Sequence, residues 1–428
     1  MSAPFKLKEY IDDAAHLRDL LKTKACVTVG QSIGKGGCAT VFDIGIDDTP
    51  LSTAHLALKI ETEFSTSDET ESRIQKEINI TSACSSLVAL KKCINFVMLY
   101  GTVKIPNEIF NNATAHTTLT FETEEARRGD KYKNKDVEGA VTYGSIMGKI
   151  ETTSAEKRIM TPEIFWQITM ALCALRTQYG KFHNDAHTGN VFLTRVSEPC
   201  DIVYNRGLRQ RIVHLAENDY YAVLGDFGWT SGYPAALIST QVLSDVFTGN
   251  KKPTSLNYVS DMQRLITCSG ITIEPAFLDE LKAVWGRLRA IIGSTIVGLA
   301  TKGNITLVPV RVGDNEYPFP KSITSDGVRI FTSGELLIIG ANLKRQFLDR
   351  SSEFFKCYST EYSIVMKYAF KREHAPALPP NSIVCDMSEP NQITHVDVVT
   401  SCAAENPSDP CIRDSVFTKE DKKICKKT

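Results

Sequence analysis

The strongest constraint on the fold is a change of hydrophobic period along the chain. Short apolar runs at 26–29, 41–44 and 56–60 have the period of strands and are separated by turn-forming residues. Beyond residue 160 the period becomes helical. The pair Thr161-Pro162 is typical of a helix start, and an apolar stripe follows it as far as Gly180. This order predicts an α+β protein in which a small β-rich part precedes a larger, mainly helical part.

The composition is that of an ordinary globular protein, and it excludes several functional classes. The chain has 428 residues, with 49 Lys and Arg against 50 Asp and Glu, so its charge favours no nucleic-acid partner. The longest apolar-leaning run, at 290–300, is too short to span a membrane. The first residues lack the apolar core of a signal peptide. We therefore expect an intracellular, cytoplasmic protein, with nuclear or virion-associated locations as alternatives, and we expect its 12 scattered cysteines to be free thiols.

Shifts in pattern divide the chain into four predicted segments. Residues 1–25 form an N-terminal helical extension with an amphipathic helix at 6–23. Residues 26–147 form the β-rich part, and a charged, turn-rich stretch at 104–138 is predicted to be a solvated insertion within it. The helical part and a loosely packed C-terminal tail follow, at 148–372 and 373–428.

Within these segments the pattern gives further detail. Strands are predicted at 95–103 and 141–150, and a linker between the two parts at 146–149. A second insertion is predicted at 196–218, and helices at 276–291 and 341–356.

The most informative polar cluster lies at the end of the first long helix of the helical part. Residues 181–193 read KFHNDAHTGNVFL, so Asp185 and Asn190 stand five positions apart, directly before an apolar strand. His183, Asp185 and His187 could converge on a metal ion. We do not favour that interpretation, because it leaves Asn190 and a later acidic residue, Asp226, without a role. A structural role for His183, packed beneath the loop, is the simpler hypothesis.

Three other pieces add chemistry to this cluster. A glycine-rich turn, GKGGCATV at 34–41, joins two predicted strands, and such turns direct backbone N–H groups at phosphate oxygens. Lys59 ends the apolar strand LALK, and Glu77, with Glu71 as the alternative, could orient its amine through an ion pair. The third piece is Asp226, which begins the triplet DFG after the apolar run 220–225.

These four pieces occur in the order found in eukaryotic-type protein kinases, and the chain resembles that superfamily over about residues 29–265. The stretch H-x-D-x-H-x-G-N is most similar to divergent kinases such as haspin, and it also resembles aminoglycoside and choline phosphotransferases. The irregular insertions are similar to those of protein kinases of large DNA viruses. The resemblance implies a bilobal protein-kinase fold, with ATP and Mg²⁺ bound between a β-rich N-lobe and a helical C-lobe, and phosphoryl transfer to serine or threonine of a protein substrate.

The resemblance also assigns roles to individual residues. Asp185 would orient the acceptor hydroxyl and take its proton, with Lys59 and His187 as the other catalytic residues, and Asp261 would brace the backbone of the catalytic loop. Metal ligation is assigned to Asn190 and Asp226. The residues assigned to the nucleotide are Ile33, Gly34, Lys35, Gly36, Gly37, Ala39, Val41, Ala57, Lys59, Glu77, Met147 and Phe192.

Several positions depart from the usual kinase pattern. Asn184 stands where regulated kinases carry an arginine that grips a phosphorylated activation loop, so we expect activity without activation-loop phosphorylation. His187 replaces the lysine that meets the γ-phosphate. Thr81, four residues after Glu77, is polar where an apolar residue is usual, and no Ala-Pro-Glu follows Gly228. Two alternatives stay open: a small-molecule kinase of the aminoglycoside or choline type, and a scaffold that binds nucleotide without catalysis.

Overall fold

The computed structural model describes twelve stretches of the chain: 5–12, 27–35, 39–46, 56–64, 73–105, 140–150, 159–234, 258–303, 307–312, 315–320, 333–370 and 381–388. Helices and small sheets are both present in them, so the predicted α+β class is confirmed. Several predictions fall outside these stretches, among them Gly36, Gly37, Glu71, residues 13–23 of the N-terminal helix and most of the 104–138 insertion.

The first half of the described chain is organised around a five-stranded antiparallel sheet with the strand order β1-β2-β3-β5-β4. Its strands are β1 (Val27–Lys35), β2 (Ala39–Ile46), β3 (Leu56–Phe64), β4 (Leu99–Ile105) and β5 (Ala140–Gly148). A short helix α1 at 7–12 precedes the sheet, and helix α2 (Arg73–Ala89) lies between β3 and β4. Because β5 continues to Gly148, residues 146–148 of the predicted linker belong to the sheet.

The second half is mainly helical, with short sheets between the helices. Its helices are α3 (Pro162–Tyr179), α4 (Asp261–Ser269), α5 (Pro275–Thr301), α6 (Ser333–Leu348) and α7 (Glu353–Ala369). Its strands are β6 (Val191–Arg195), β7 (Cys200–Arg206), β8 (Arg209–Leu215), β9 (Tyr220–Leu224), β10 (Leu307–Val312), β11 (Asn315–Pro320) and β12 (Ile383–Asp386). β6 pairs with β9, β10 with β11, and β12, β7 and β8 form a three-stranded sheet.

Alternation along β3 divides its side chains between two environments. Leu56, Leu58 and Ile60 are each 4% exposed or less and face the core. Lys59 has the opposite direction and lies directly across from Val41 of β2 and Ser145 of β5. The charged amine of Lys59 therefore lies on the face of the strand opposite to the core-facing side chains.

Helix α3 begins and ends as its sequence predicts. The hydroxyl of Thr161 accepts a hydrogen bond from the N–H of Ile164, and Pro162 occupies the first turn. Gly180 ends the helix in the left-handed region at φ 63°. The residues 167–175 are all buried, so this helix is the central support of the helical part.

The predicted helix at 341–356 is wrong, because two helices meet there. α6 ends at Leu348, and α7 begins at Glu353. Between them, the Asp349 carboxylate accepts hydrogen bonds from the N–H and the hydroxyl of Ser351. Ser352 then caps α7 by accepting a hydrogen bond from the N–H of Phe355. Short polar side chains that bond to the local backbone favour such breaks over a continuous helix.

Two segments that we predicted to be an insertion and a loosely packed tail are integral to the fold. The 196–218 insertion contains the β7–β8 hairpin, in which Ile202 and Tyr204 are fully buried. Residues 383–386, which we assigned to a loosely packed tail, form β12 and pair in parallel with β7. Cys385 is also fully buried. The tail prediction is therefore wrong for this part, and residues 371–380 and 389–428 lie outside the described stretches.

The N-terminal segment at 5–12 packs on the helical part. Leu7 and Ile11 are buried, and Phe5 stacks on Tyr221 at 6.1 Å between ring centroids. The carbonyl of Phe5 accepts a hydrogen bond from the N–H of Ser197. Across the described stretches, every helix is too short or too polar to cross a lipid bilayer.

Helix α7 carries a buried acid that supports α4. One carboxylate oxygen of Glu361 accepts hydrogen bonds from the Ser260 hydroxyl and from Nε1 of Trp285, the latter at 2.6 Å. The hydroxyl of Ser260 is also the N-cap of α4, since it accepts a hydrogen bond from the N–H of Gln263. Burial raises the pKa of Glu361 to about 7 from its ordinary 4.5, against the opposing effect of these hydrogen bonds.

We predict that Glu361→Gln removes part of the pH dependence of stability. The raised pKa means that the folded protein binds this proton more tightly than the unfolded chain. The resulting stabilisation is complete below pH 4.5 and is lost as the pH rises through 7. Glutamine keeps both hydrogen bonds and has no charge to bury. The unfolding free energy of the variant minus that of wild type should therefore increase by up to about 3 kcal/mol as the pH rises from 4 to 8.

The measurement is denaturant unfolding at both pH values. Glu353→Gln, at an exposed position of the same helix, is the matched control and should retain the wild-type pH dependence. An equal pH dependence in wild type and Glu361→Gln would contradict the prediction.

Candidate active site

The stretch 181–190 is a loop that leaves α3 and enters β6 through a 3-10 turn at Thr188–Asn190. Its first residues pair with a later segment, because the N–H and the carbonyl of Phe182 both bond to the backbone of Ser231. At its end, the carbonyl of Asn190 accepts a hydrogen bond from the N–H of Gly225 at 3.0 Å. The loop is therefore attached at both ends to the chain around Asp226.

The side chain of Asp261, on the first turn of α4, holds the middle of this loop. Its two carboxylate oxygens accept hydrogen bonds from the N–H of His183 at 2.8 Å and from that of Asn184 at 2.7 Å. Both donors are buried amides that no regular secondary structure would satisfy. The bracing contact that the resemblance implies for Asp261 is present.

His183 is buried and supports the loop from below. Its Nε2 donates to the carbonyl of Gly225 at 3.0 Å, and its Nδ1 accepts the N–H of Asp185 at 3.2 Å. Burial lowers the pKa of His183, although Asp261 opposes the shift. A neutral imidazole with both nitrogens occupied agrees with the structural role that we hypothesised, and leaves this side chain no free lone pair for a metal.

The carboxylate of Asp185 has partners on both of its oxygens. Oδ1 lies 2.6 Å from Nη2 of Arg264. Oδ2 accepts a hydrogen bond from Nδ2 of Asn190 at 3.0 Å and lies 3.5 Å from Nε2 of His187. Burial raises the pKa of Asp185, but His187, Arg264 and Asn190 outweigh it, and the pKa lies below its ordinary 3.8. The side chain is therefore ionised at neutral pH.

Asn190 and Asp226 fit a hard divalent cation. Because Nδ2 of Asn190 is committed to Asp185, its Oδ1 is the atom left for a cation. Asp226 is exposed, and its backbone is in the left-handed region at φ 60°. Amide and carboxylate oxygens are the donors that Mg²⁺ prefers, usually with water and substrate phosphates as its other ligands. In the described stretches no three His, Cys, Asp or Glu side chains are grouped as a metal site of their own.

The residues on either side of Asp226 set its position. Gly225 has no room for a side chain, because a Cβ there would lie 2.7 Å from Val97 and 2.9 Å from Phe192. Phe227 is 2% exposed, and its ring lies 5.2 Å from that of His183. A buried aromatic ring after a close-packed glycine therefore turns the carboxylate of Asp226 outwards.

Lys59 lies in a cluster of acidic groups. Its Nζ is 2.5 Å from Glu77 on α2 and 3.1 Å from Glu61 on its own strand. Burial lowers the pKa of Lys59, but the charges of Glu77, Glu61 and Asp226 outweigh burial and raise it above the ordinary value. Lys59 is therefore a cation, and three carboxylates act on it. This excess of negative charge favours the binding of a further cation.

Thr81, polar where the kinase pattern has an apolar residue, is compatible with the Lys59–Glu77 contact. The hydroxyl of Thr81 donates to the carbonyl of Glu77 at 2.7 Å, within the same helix. A polar residue is therefore accommodated at this position without moving Glu77 away from Lys59.

The apolar residues assigned to a nucleotide share one face of the sheet. Val41 lies opposite Lys59, and Ala57 lies opposite Met147. Lys59 and Ala57 are two positions apart, so all four side chains have the same direction. Phe192 lies on β6, and its ring is beside Gly225. Ala39 is half-buried on β2, Ile33 is 42% exposed on β1, and Gly34 and Lys35 end that strand.

Sequence reasoning missed two residues of this site. Arg264 follows Asp261 by three positions, so both project from one face of α4, and that spacing is the signal that could have found it. Glu61 follows Lys59 by two positions, which places both on one face of β3. Neither residue belongs to the four pieces by which the chain resembles a family.

Neither a protein-family model nor a curated protein matches the chain. Function is therefore inferred from the residues of the site and their contacts.

Asn184 joins the loop to the segment after Asp226. Its backbone is in the left-handed region at φ 65°, and its side chain is 8% exposed. Nδ2 lies 2.9 Å from the carbonyl oxygen of Trp229, 3.2 Å from the hydroxyl of Ser231 and 3.3 Å from the carbonyl oxygen of Tyr233. A single neutral amide therefore fixes residues 229–233 against the loop.

We predict that Asn184→Gly loosens residues 229–233. Glycine tolerates the positive φ, so this change removes the amide alone. Each lost hydrogen bond costs about 1 kcal/mol, so amide exchange at Ser231 should become roughly tenfold faster or more. Hydrogen exchange followed by mass spectrometry measures the effect.

The control is Asn342→Gly, which removes an exposed amide that donates to the carbonyl oxygen of Ile338 within α6. Unchanged exchange at Ser231 in Asn184→Gly would show that the amide does not hold the segment.

Proposed function

We propose that the chain is an ATP-dependent protein kinase with the bilobal kinase fold, acting on serine or threonine hydroxyls of protein substrates. The observation that carries the proposal is the convergence of three separate segments: Lys59 of β3, the loop with Asp185 and Asn190, and Asp226 lie around one site, linked through Gly225 and the Lys59–Asp226 interaction. Their order along the chain and the resemblance stated above add support.

In this proposal, the β1–β5 sheet with α2 is the small lobe and helices α3–α7 belong to the large lobe. The adenine ring would pack on the apolar face formed by Val41, Ala57 and Met147, with Phe192 on the opposite side. Lys59, kept charged and oriented by Glu77, would bind the α- and β-phosphates. The glycine-rich turn that follows β1 would cover the phosphates.

Phosphoryl transfer requires positioning and charge neutralisation more than covalent catalysis. Asn190 and Asp226 would hold magnesium, which when bound supplies positive charge to the phosphates. Asp185 is ionised, and it would accept a hydrogen bond from the acceptor hydroxyl and take its proton. The loop that carries Asp185 is fixed by Asp261 and His183, so this carboxylate is in place before a substrate binds.

The state of the cysteines fits an intracellular enzyme, and the contacts of residues 229–233 fit an enzyme that needs no activating phosphorylation. Every cysteine that the structure describes is unpaired, as expected for a reducing compartment. Residues 229–233 are held by the Asn184 amide and by backbone bonds to Phe182, all of them contacts between unmodified residues.

The proposal predicts transfer of labelled phosphate from ATP and magnesium to generic protein acceptors by a phosphatase-treated sample. Asp185→Ala should lower the rate roughly 100-fold or more, because the loss of a general base has effects of this size. Asp226→Ala should lower it at least as much, since the metal loses a ligand. Asp349→Ala, in the turn between α6 and α7, is the matched control and should retain wild-type activity.

The other outcomes identify the alternatives. Transfer to a small alcohol in preference to proteins would favour a small-molecule kinase. Nucleotide binding without transfer, with biological activity retained in Asp185→Ala, would favour a scaffold. Activity that depended on phosphorylation at 229–250 would contradict the expected independence from activation.

A further inference from the structure

Arg264 contacts the proposed base and its loop from helix α4. It lies one helical turn after Asp261, so both side chains reach the same loop. Nη2 is 2.6 Å from Oδ1 of Asp185, and Nη1 is 3.4 Å from the carbonyl oxygen of Asn184. Asp261 accepts two backbone N–H groups of this loop, whereas Arg264 donates to its carboxylate and carbonyl oxygens. α4 therefore holds the loop with one charge of each sign.

The contact is a protected ion pair. The exposed fraction is 27% for the Arg264 side chain and 17% for that of Asp185. Nε of Arg264 is buried and has no hydrogen-bond partner among the described residues. The hydrogen bonds of this guanidinium are therefore made by its terminal nitrogens, to the Asp185 carboxylate and the Asn184 carbonyl oxygen.

The two oxygens of Asp185 are held from different sides. Arg264 takes Oδ1, and Nδ2 of Asn190 donates to Oδ2 at 3.0 Å. His187 is the other basic group near this carboxylate, and its Nε2 is 3.5 Å from Oδ2. A guanidinium is permanently charged, unlike an imidazole, and its planar donors fix the direction of a carboxylate.

We propose that Arg264 is a positioning residue that fixes the carboxylate plane of Asp185 so that the acceptor hydroxyl meets it in line for transfer. This inference rests on the proposed kinase function and deepens it. Arg264 contacts neither nucleotide nor acceptor in this proposal. Its effect should therefore fall on the rate of transfer and not on the binding of ATP.

The test compares Arg264→Gln and Arg264→Lys with wild type in steady-state phosphoryl transfer. Arg264→Gln should lower kcat tenfold or more and leave KM for ATP within about twofold, because the loop stays attached through Asp261. Arg264→Lys keeps the charge and should recover part of kcat. The matched control is Arg195→Gln, which removes another guanidinium packed on a tyrosine ring and should leave kcat unchanged.

A double mutant asks whether Arg264 acts through Asp185. In an Asp185→Asn background, Arg264→Gln should cause no further loss of kcat, because the group that it orients is already disabled. A further tenfold loss would overturn the proposal, as would an effect on KM alone or an unchanged kcat in the single variant.

Failure of this inference differs from failure of the proposed function. If wild type transfers phosphate and Arg264→Gln is equally active, only the role of Arg264 is overturned. If wild type transfers none to protein or small alcohol, the proposed function is overturned and the role of Arg264 with it. Denaturant unfolding of wild type, Arg264→Gln, Asp185→Asn and the double mutant then shows whether the ion pair exists, since a coupled loss of stability requires it.

Discussion

The arrangement of the site depends on one carboxylate, that of Asp261. Asp261 accepts the N–H groups of His183 and Asn184, two amides in an irregular loop beneath the surface. Without this acceptor both amides would be buried and unsatisfied, and the loop would have to move towards water. Asp261 is itself placed by α4, whose N-cap Ser260 bonds to Glu361 of α7. The position of Asp185 is thus determined by contacts that extend through the helical part.

A second constraint is the distribution of charge around Lys59. Glu61, Glu77 and Asp226 all act on this one cation. Glu77 and Glu61 contact it directly, whereas Asp226 is exposed and free to turn to a metal ion. The site is therefore polarised, with a fixed ion pair on the sheet side and an acidic group on the loop side. In the proposed function, a nucleotide with its metal ion would complement both, since its phosphates would meet Lys59 and its metal would meet Asp226.

Local signals in the sequence predicted the parts of the fold that local chemistry controls. Thr161, Pro162 and Gly180 predicted both ends of α3, because caps and breakers act within one turn. The apolar period predicted the strand at 56–60, and in the structure Lys59 and Ala57 share one face of β3 with Val41 and Met147. The break at Asp349 was missed because apolar residues keep a helical period on both sides of it. β12 was missed because its pairing with β7 joins residues far apart in sequence. Arg264 was missed for a similar reason, since its partner Asp185 belongs to a different element.

The central claim is that Lys59 and Asp226 hold one magnesium-bound nucleotide between them. Calorimetric titration of the full chain with ATP, with and without magnesium, tests it directly. The account predicts saturable binding that strengthens with magnesium, loss of that magnesium effect in Asp226→Ala, and weaker binding under both conditions in Lys59→Ala. Absence of saturable binding, or binding that neither magnesium nor these variants change, would contradict it.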